Sequence, residues 1–211
     1  MRHHTASNLY MPISELKYAP EFYPPVLESL EWEKIFLNGN KPDSLDIGCG
    51  KGTFLLNYGE QNQDKNILGL EIRKQPQIWL DNYIKGEQIT NCAVIWYSVV
   101  NGLPFIDSES IEKIFFLFPD PWHKRKHNKR RAFNQETLKE FFRILIRGGQ
   151  LYLATDVYEI NEYHKKIISK ITELEFNFLE NDSDWDLPIT NKENFCLINK
   201  IPVFRIICTK I

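Results

Sequence analysis

Residues 45–52 read LDIGCGKG, an apolar strand that ends in three alternating glycines. Glycine tolerates the left-handed backbone of a tight strand-to-helix turn and lets a ligand approach the main chain. A dinucleotide fingerprint, G-x-G-x-x-G, would need its third glycine at position 53, which is Thr53. The stretch therefore disfavours a dehydrogenase and predicts a different ligand at this turn.

Two acids accompany the glycines Gly48, Gly50 and Gly52. Asp46 would repel a pyrophosphate at this distance but attract an ammonium group. Glu71 ends the next apolar run, where a carboxylate can accept both hydroxyls of a ribose. Together they fit an adenosine-type cofactor with an ammonium group and no phosphate, namely S-adenosylmethionine; the alternative is a structural turn beside an unrelated acid.

Apolar runs rich in β-formers alternate with segments of helical periodicity, which predicts an α/β fold with a parallel sheet. Strands are expected at residues 44–47, 66–72, 93–97, 111–118 and 150–154, and helices at 53–61, 73–85, 134–146 and 157–171. We expect Gly148 and Gly149 to end the third of these helices.

The two ends of the chain depart from this alternation. Pro24 and Pro25 are expected to introduce a helix over residues 26–37 that covers one sheet face. Near the other end, residues 174–179 and 203–209 predict an antiparallel hairpin at the sheet edge. We expect residues 1–25 to be an N-terminal extension, which could be flexible, and residues 26–211 to form one domain.

Composition and charge limit the partners, metals and cellular locations that the sequence allows. The 211 residues carry a formal net charge of −2, so nucleic-acid affinity would have to come from a local patch. Four scattered cysteines and the His residues lack metal-ligand spacing, so we predict no metal. With no apolar run of membrane-spanning length and no secretory signal, we expect no membrane association, a cytoplasmic location, and a monomer or homodimer.

The fourth predicted strand runs into FPDPWHK, residues 118–124, where prolines on both sides restrict the backbone of Asp120. Ligands of open parallel sheets bind beyond the carboxyl ends of the strands. We therefore expect Asp120 to face the cofactor's methyl group. Trp122 could stack on a base or be buried beneath the loop.

A dense basic run follows, with six Lys or Arg in the eight positions from Lys124. Each cation that neutralises a phosphate adds to affinity and to salt dependence. We predict RNA contacts from the remaining cations of this run, which are Arg125, Lys126, Lys129, Arg130 and Arg131. A solvated charged loop or a nuclear-import signal is the alternative.

The acid, the glycine triplet and Glu71 resemble the class I methyltransferases. The strings FPDPWHK and HNKRR, residues 127–131, closely resemble the tRNA (guanine-N7)-methyltransferase family, and this similarity extends over about residues 43–205. It implies a single doubly wound, Rossmann-like domain with a mostly parallel seven-stranded sheet and an antiparallel edge strand. It also implies methyl transfer to N7 of a guanosine in the variable loop of tRNA, with Asp120 as catalytic and cofactor-contacting residue.

The resemblance assigns further residues to the substrate side, namely Lys124, Asp156, Thr190, Lys192 and Glu193. Ion pairs or helix caps are the alternative for these polar side chains. The sequence also departs from the family, which has an aromatic residue at position 192, an acid at the position of Ser98, and glycines at positions 196, 200 and 202. Ser98 is expected near the adenine of the cofactor, and the C-terminal loop is expected to be reshaped or the activity reduced.

Three functions thus remain open from the sequence. The first is the tRNA guanine-N7 enzyme. The second is a methyltransferase that acts on another RNA, on DNA or on a small molecule, and it is motivated by the altered region around Lys192. The third is a non-catalytic RNA-binding protein that retains the fold.

Overall fold

The computed structural model describes residues 7–122, 130–171, 174–179 and 185–211. Seven strands form one sheet: β1 (Ser44–Ile47), β2 (Ile67–Glu71), β3 (Cys92–Trp96), β4 (Ile111–Leu117), β5 (Leu145–Thr155), β6 (Leu174–Leu179) and β7 (Phe204–Lys210). Their order across the sheet is β3-β2-β1-β4-β5-β7-β6. The first five strands are parallel to one another, as the alternating sequence pattern predicts.

Six α-helices are described: α1 (Trp32–Ile35), α2 (Thr53–Gln61), α3 (Lys74–Gly86), α4 (Gln135–Ile144), α5 (Tyr158–Ile168) and α6 (Asn191–Ile198). Helices α2 and α3 cover one face of the sheet, while α4 and α5 cover the other. Because side chains alternate along a strand, Phe115 packs with Tyr58 on the first face and Phe116 with Phe141 on the second. The sheet is therefore buried on both sides.

The last two strands form the predicted antiparallel pair at the sheet edge. Strand β7 runs antiparallel to both β5 and β6. Since β7 lies between them, the reversed strand is second from the edge and β6 itself is the edge strand.

Two sequence-based expectations about local structure are wrong. The helix expected over residues 26–37 is a single turn, α1, after which Phe36 enters the core with 1% exposure. Such a short helix is held by packing, because a single turn is not stable alone. Gly148 and Gly149 do not end α4 but lie inside β5, where the β4 register shifts from Ile111 to Lys113 and Gly148 has φ 76°. The glycines thus accommodate an irregularity of the sheet.

Helix α6 was not predicted, although its start carries a recognisable signal. Thr190 accepts a hydrogen bond from the Glu193 backbone N–H, and the Glu193 side chain accepts one from the Thr190 N–H. This is a capping box, whose S/T-x-x-E pattern can be read from sequence. Asn191 then donates to Thr53 Oγ1 at 2.7 Å, which joins the start of α6 to the start of α2.

The close packing of β2 against the glycine turn predicts the effect of Gly69→Ala. A Cβ atom at Gly69 would lie 2.5 Å from Leu55 Cδ1 and 2.7 Å from Cys49 Sγ. We expect a loss of about 1–3 kcal/mol in the free energy of unfolding, because overpacking forces neighbouring groups to shift. Urea unfolding measures it, with Gly86→Ala as the control, since nothing lies within 4 Å of a Cβ there. Equal stability of the two variants would contradict this account.

Candidate functional site

The carboxyl ends of β1, β2, β3 and β4 meet around one cavity of about 290 Å³. The turns that follow these strands supply most of its lining. Of the residues predicted from sequence to bind the cofactor, four line it directly: Gly48, Glu71, Ser98 and Asp120. The turn after β1 and the proline-flanked acid after β4 therefore converge on one site, as parallel strand order requires.

The glycine turn has the backbone that its sequence predicts. Gly48, Gly50 and Gly52 have φ values of 80°, 59° and 80°. Nothing lies within 4 Å of the position that a Cβ atom would take at Gly48, whereas Gly52 packs directly against Leu80. Gly48 thus leaves room for a ligand to approach the main chain, and Gly52 allows α2 and α3 to pack closely.

Glu71 is the buried acid of the site, with 2% exposure. Its Oε2 accepts the Gly50 N–H at 2.8 Å, and its Oε1 accepts the backbone N–H and Nε–H of Arg73 at 2.8 and 2.9 Å. Arg73 also lines the cavity, yet sequence reasoning did not select this residue. The sequence did contain a signal for this residue, because Arg73 follows the acid Glu71 by only two positions.

Asp46 lies beneath the glycine turn and is 3% exposed. Its Oδ2 atom has no hydrogen-bond partner among the described residues. Burial, and then the charge of Glu71, raises the pKa of Asp46 to about 8. A buried carboxylate without a compensating donor is costly, so this side chain suits a ligand that brings a positive charge.

Asp120 is exposed and lies on a strained loop. Phe118 and Trp122, on either side of the Pro-Asp-Pro segment, adopt positive φ values of 52° and 40°. Non-glycine residues rarely adopt this conformation, and it persists where surrounding contacts hold it. One such contact is a hydrogen bond from the Tyr10 hydroxyl to Asp120 Oδ2.

Ser98 lies two residues beyond the end of β3 and is 2% exposed. Its hydroxyl donates to the backbone carbonyl of Leu9 at 2.9 Å. Ser98 was expected beside the cofactor's adenine. It does line the cavity, but its hydrogen bond goes to the N-terminal segment, a contact between residues 89 positions apart that sequence reasoning missed.

The late polar motif is tied together by its own ion pairs and cap. Lys192 Nζ lies 2.6 Å from Asp156 Oδ2 and also above the ring of Phe195. Glu193, besides capping α6, forms a buried ion pair at 2.6 Å with Arg205. These contacts match the alternative stated above, that such residues form ion pairs and helix caps. Lys192, at the position where the sequence resemblance implies an aromatic residue, is thus held by Asp156.

The basic run is only partly described. Lys124, Arg125, Lys126 and Lys129 lie outside the described residues, whereas Arg130 and Arg131 lie within them. The guanidinium of Arg130 lies 5.3 Å from the ring centre of Trp122, and that of Arg131 lies 4.4 Å from that of Tyr163. The end of the run is thus fixed against aromatic rings of the fold.

The described residues contain neither a group of three or more His, Cys, Asp or Glu side chains placed to hold a metal nor a helix long and apolar enough to cross a membrane. His164, the one histidine within the described residues, is 1% exposed and packs against Phe133 at a ring distance of 4.7 Å. Burial, and then the charge of Arg131, lowers its pKa to about 3. It is therefore a neutral core residue at physiological pH.

Solved structures with the same architecture are methyltransferases. A 16S rRNA methyltransferase, KamB, aligns with a TM-score of 0.58 and 15% identity over 88% of this chain and 96% of its own. An rRNA methylase from Streptococcus thermophilus aligns with a TM-score of 0.53 and 12% identity over 84% of this chain and 90% of its own. At such identities the likeness establishes the fold, which with this site defines a class I methyltransferase whose methyl donor is S-adenosylmethionine.

Sequence comparison narrows the class. The family model described as "Putative methyltransferase" matches residues 40–203. The tRNA (guanine-N(7)-)-methyltransferase of Thermosynechococcus vestitus is 30% identical over 83% of each chain, and that of Prochlorococcus marinus strain MIT 9215 is 33% identical over 79% of this chain and 84% of its own. The chain belongs to the tRNA (guanine-N(7)-)-methyltransferase family.

The residues present fit S-adenosylmethionine. Gly48 leaves its main chain open to a ligand, and the unpartnered Asp46 oxygen beneath it, which does not line the cavity, would compensate the positive charge of the ammonium group through space. Glu71 would hold the ribose hydroxyls, once its bonds with Gly50 and Arg73 are shared or exchanged. Ser98 would hold the adenine side from the end of β3.

The raised pKa of Asp46 predicts how stability depends on pH. Its folded-state pKa of about 8 exceeds the ordinary 3.8, so the neutral group favours the folded protein at low pH and this contribution is lost as pH rises toward 8. Asp46→Asn lacks the ionisation. We expect the variant to gain more than about 1.4 kcal/mol relative to the wild-type protein between pH 5 and 8, the equivalent of one pKa unit.

Denaturant unfolding of both proteins without cofactor measures this difference. Asp156→Asn serves as the matched control, because Asp156 is already paired with Lys192. A stability difference that does not change with pH would contradict the assignment.

Proposed function

We propose that the protein transfers the methyl group of S-adenosylmethionine to N7 of a guanosine in tRNA, at the variable loop. One observation carries the proposal: the cavity lined by Gly48 and Glu71 also contains Asp120, on the loop that leads into the basic run. The opening of this cavity would then bring together three kinds of group, namely those that bind the cofactor, the carboxylate that recognises the base, and the cations that bind phosphates. The family name of the curated relatives supports the same acceptor. We place the reaction in the cytoplasm.

Asp120 would recognise the target base. A carboxylate accepts the N1–H and exocyclic amine of guanine, whereas adenine presents an acceptor at N1. The negative charge of Asp120 also offsets positive charge that develops on the purine during methyl transfer. The strained backbone at Phe118 and Trp122 would keep this carboxylate in place.

The reaction requires positioning more than proton transfer. S-adenosylmethionine, when bound, supplies an electrophilic methyl group on a sulfonium. Guanine N7 already has an in-plane lone pair, so the protein needs no general base for this step. Placing N7 about 3–3.5 Å from the methyl carbon and in line with sulfur gives several kcal/mol of rate enhancement through orientation. Trp122 would stack on the base while Asp120 holds its edge.

Groups further from the base would bind the rest of the RNA. The basic run from Lys124 to Arg131 would contact phosphates, with Arg130 and Arg131 as its anchored end. Asp156, Thr190, Lys192 and Glu193 would lie on the substrate side, as in the family. The capping box and the Glu193–Arg205 pair would act there by fixing α6, so that Lys192 is presented beside Asp156.

A second candidate acceptor is another RNA. The Lys192–Asp156 ion pair favours it, because a cation stands where the family has an aromatic ring. Competition experiments with defined tRNAs and unrelated RNAs separate the two candidates. If tRNA neither becomes methylated nor competes, the second candidate is favoured.

The proposed activity predicts formation of 7-methylguanosine in tRNA. Pure protein, labelled S-adenosylmethionine and unmodified tRNA are incubated, and the nucleosides are then analysed by mass spectrometry. A tRNA with adenosine in place of the variable-loop guanosine is the control and should stay unlabelled. Methylation of a different atom, or none despite measurable cofactor binding, would reject the proposal.

Asp120→Ala is expected to lower turnover about 100-fold while cofactor affinity stays within about threefold. Loss of two hydrogen bonds to a charged group accounts for an effect of this size. Single-turnover kinetics and calorimetry with S-adenosylmethionine measure the two quantities. The control is Asp107→Ala. Asp107 is an exposed acid paired with Lys41, and these two residues precede β4 and β1, at the amino ends of the strands and away from the site. Equal losses of turnover and cofactor affinity would contradict the assigned role.

A further inference from the structure

The N-terminal segment packs over the candidate site. We call residues 7–23 the N-terminal strap. Ile13 N–H donates to Asn101 Oδ1 at 2.9 Å, and the Tyr23 hydroxyl, with its single proton, lies 3.0 Å from the same oxygen and 2.7 Å from Met11 O. These contacts attach the strap beyond the end of β3.

The tip of the strap reaches further into the site. Leu9 is 5% exposed and accepts the hydrogen bond of Ser98, and Tyr10 lines the cavity itself. The Tyr10 hydroxyl donates to Asp120 Oδ2, and its ring lies edge-on to Trp122 with 5.2 Å between ring centres. A single side chain thus occupies both groups that we assign to the target base.

We propose that the side chain of Tyr10 occupies the binding subsite of the target guanine when no RNA is bound, as an internal stand-in for the base. Tyr10 must therefore leave this subsite before the base can bind. The proposal rests on the proposed function, and it goes beyond it by locating the base subsite and its closed state. Tyrosine presents a flat ring with a hydrogen-bond donor at its edge. Guanine presents a flat ring with two donors, N1–H and the exocyclic amine, so both fit a carboxylate beside an indole.

The two occupants exclude each other. Asp120 offers two oxygens to the two donors of a guanine edge, and the Tyr10 side chain lies at one of these oxygens and against the Trp122 ring, in the space that the base would take. The bond of Tyr10 lies at an exposed carboxylate, where a hydrogen bond is exchanged with water at modest net cost. The contacts of Ile13 and Tyr23 with Asn101 hold the rest of the strap, so only its tip needs to move.

The stand-in lowers the apparent affinity for the base. A site that is open for only a fraction of the time binds its ligand more weakly by that fraction. The strap tip contacts the adenine side through Leu9 and the base side through Tyr10. Leu9 and Tyr10 would thereby keep Ser98 and Asp120 paired while no RNA is present.

Substitutions at Tyr10 test the proposal. Tyr10→Phe removes the donor and Tyr10→Ala removes the ring. We expect each to tighten tRNA binding about threefold to tenfold in the presence of S-adenosylhomocysteine, the value of one such hydrogen bond, while kcat changes less than twofold. Tyr18→Phe and Tyr18→Ala are matched controls, because Tyr18 lies in the same strap and is 77% exposed.

A second measurement does not depend on tRNA or on activity. Protein labelled with 5-fluorotryptophan reports on Trp122 by ¹⁹F NMR, with Trp122→Phe to assign the signal. We expect the Trp122 signal to shift in Tyr10→Ala without ligand. Free guanosine should then perturb this signal at a concentration about threefold to tenfold lower than in the wild-type protein, and adenosine should not. In an Asp120→Ala background, Tyr10→Phe should have no further effect.

The outcomes separate this proposal from the proposed function. If Tyr10→Phe lowers kcat and leaves tRNA affinity unchanged, Tyr10 orients Asp120 in the active state and the stand-in is rejected. Unchanged guanosine affinity in both Tyr10 variants also rejects it. If the wild-type protein methylates no tRNA but Tyr10→Ala binds guanosine more tightly, the base subsite stands and only the acceptor is reassigned.

Discussion

The carboxylate of Glu71 joins the two turns on which the site is built. Its Oε2 accepts from Gly50, in the turn after β1, and its Oε1 accepts from Arg73, in the turn after β2. With 2% exposure it is desolvated, so each of these charge-assisted bonds is strong. The glycine turn is therefore held open against the end of β2 before any ligand arrives. The Asp46 Oδ2 atom beneath it has no partner among the described residues, while Gly48 and Cys49 donate to Leu70 O and Gly50 donates to Glu71.

Much of this arrangement could be predicted from sequence because it depends on local patterns. The strand at residues 44–47, helix α2 and the glycines between them follow from periodicity and from backbone requirements within ten residues. The parallel order then brings Asp120 to the same edge as Gly48. The single turn at α1 and the glycines inside β5 were mispredicted, because their conformations are decided by packing and strand register with distant parts of the chain.

The N-terminal strap shows the limit of such reasoning most clearly. Its polar, proline-containing sequence shows no periodic pattern of apolar residues. Its partners lie far along the chain, since Ser98 is 89 positions from Leu9 and Asp120 is 110 positions from Tyr10. A contact of this kind leaves no trace in local composition. The roles of Thr190 and Glu193 could have been assigned in part, since the capping-box pattern is local, whereas the pairing of Glu193 with Arg205 needed the fold.

Polar groups of this site are paired with the chain's own residues in the closed state: Asp120 with Tyr10, Ser98 with Leu9, Asp156 with Lys192, and Glu71 with Arg73. Binding of substrate and cofactor is then an exchange of partners rather than the capture of unpaired groups. Such exchange lowers net affinity, but it lets a competing ligand bind only if it replaces each bond that it displaces. Asp46 differs, since no described donor contacts its Oδ2. A cationic group bound above the glycine turn would gain interaction energy with this carboxyl group without displacing a hydrogen-bond partner of its Oδ2.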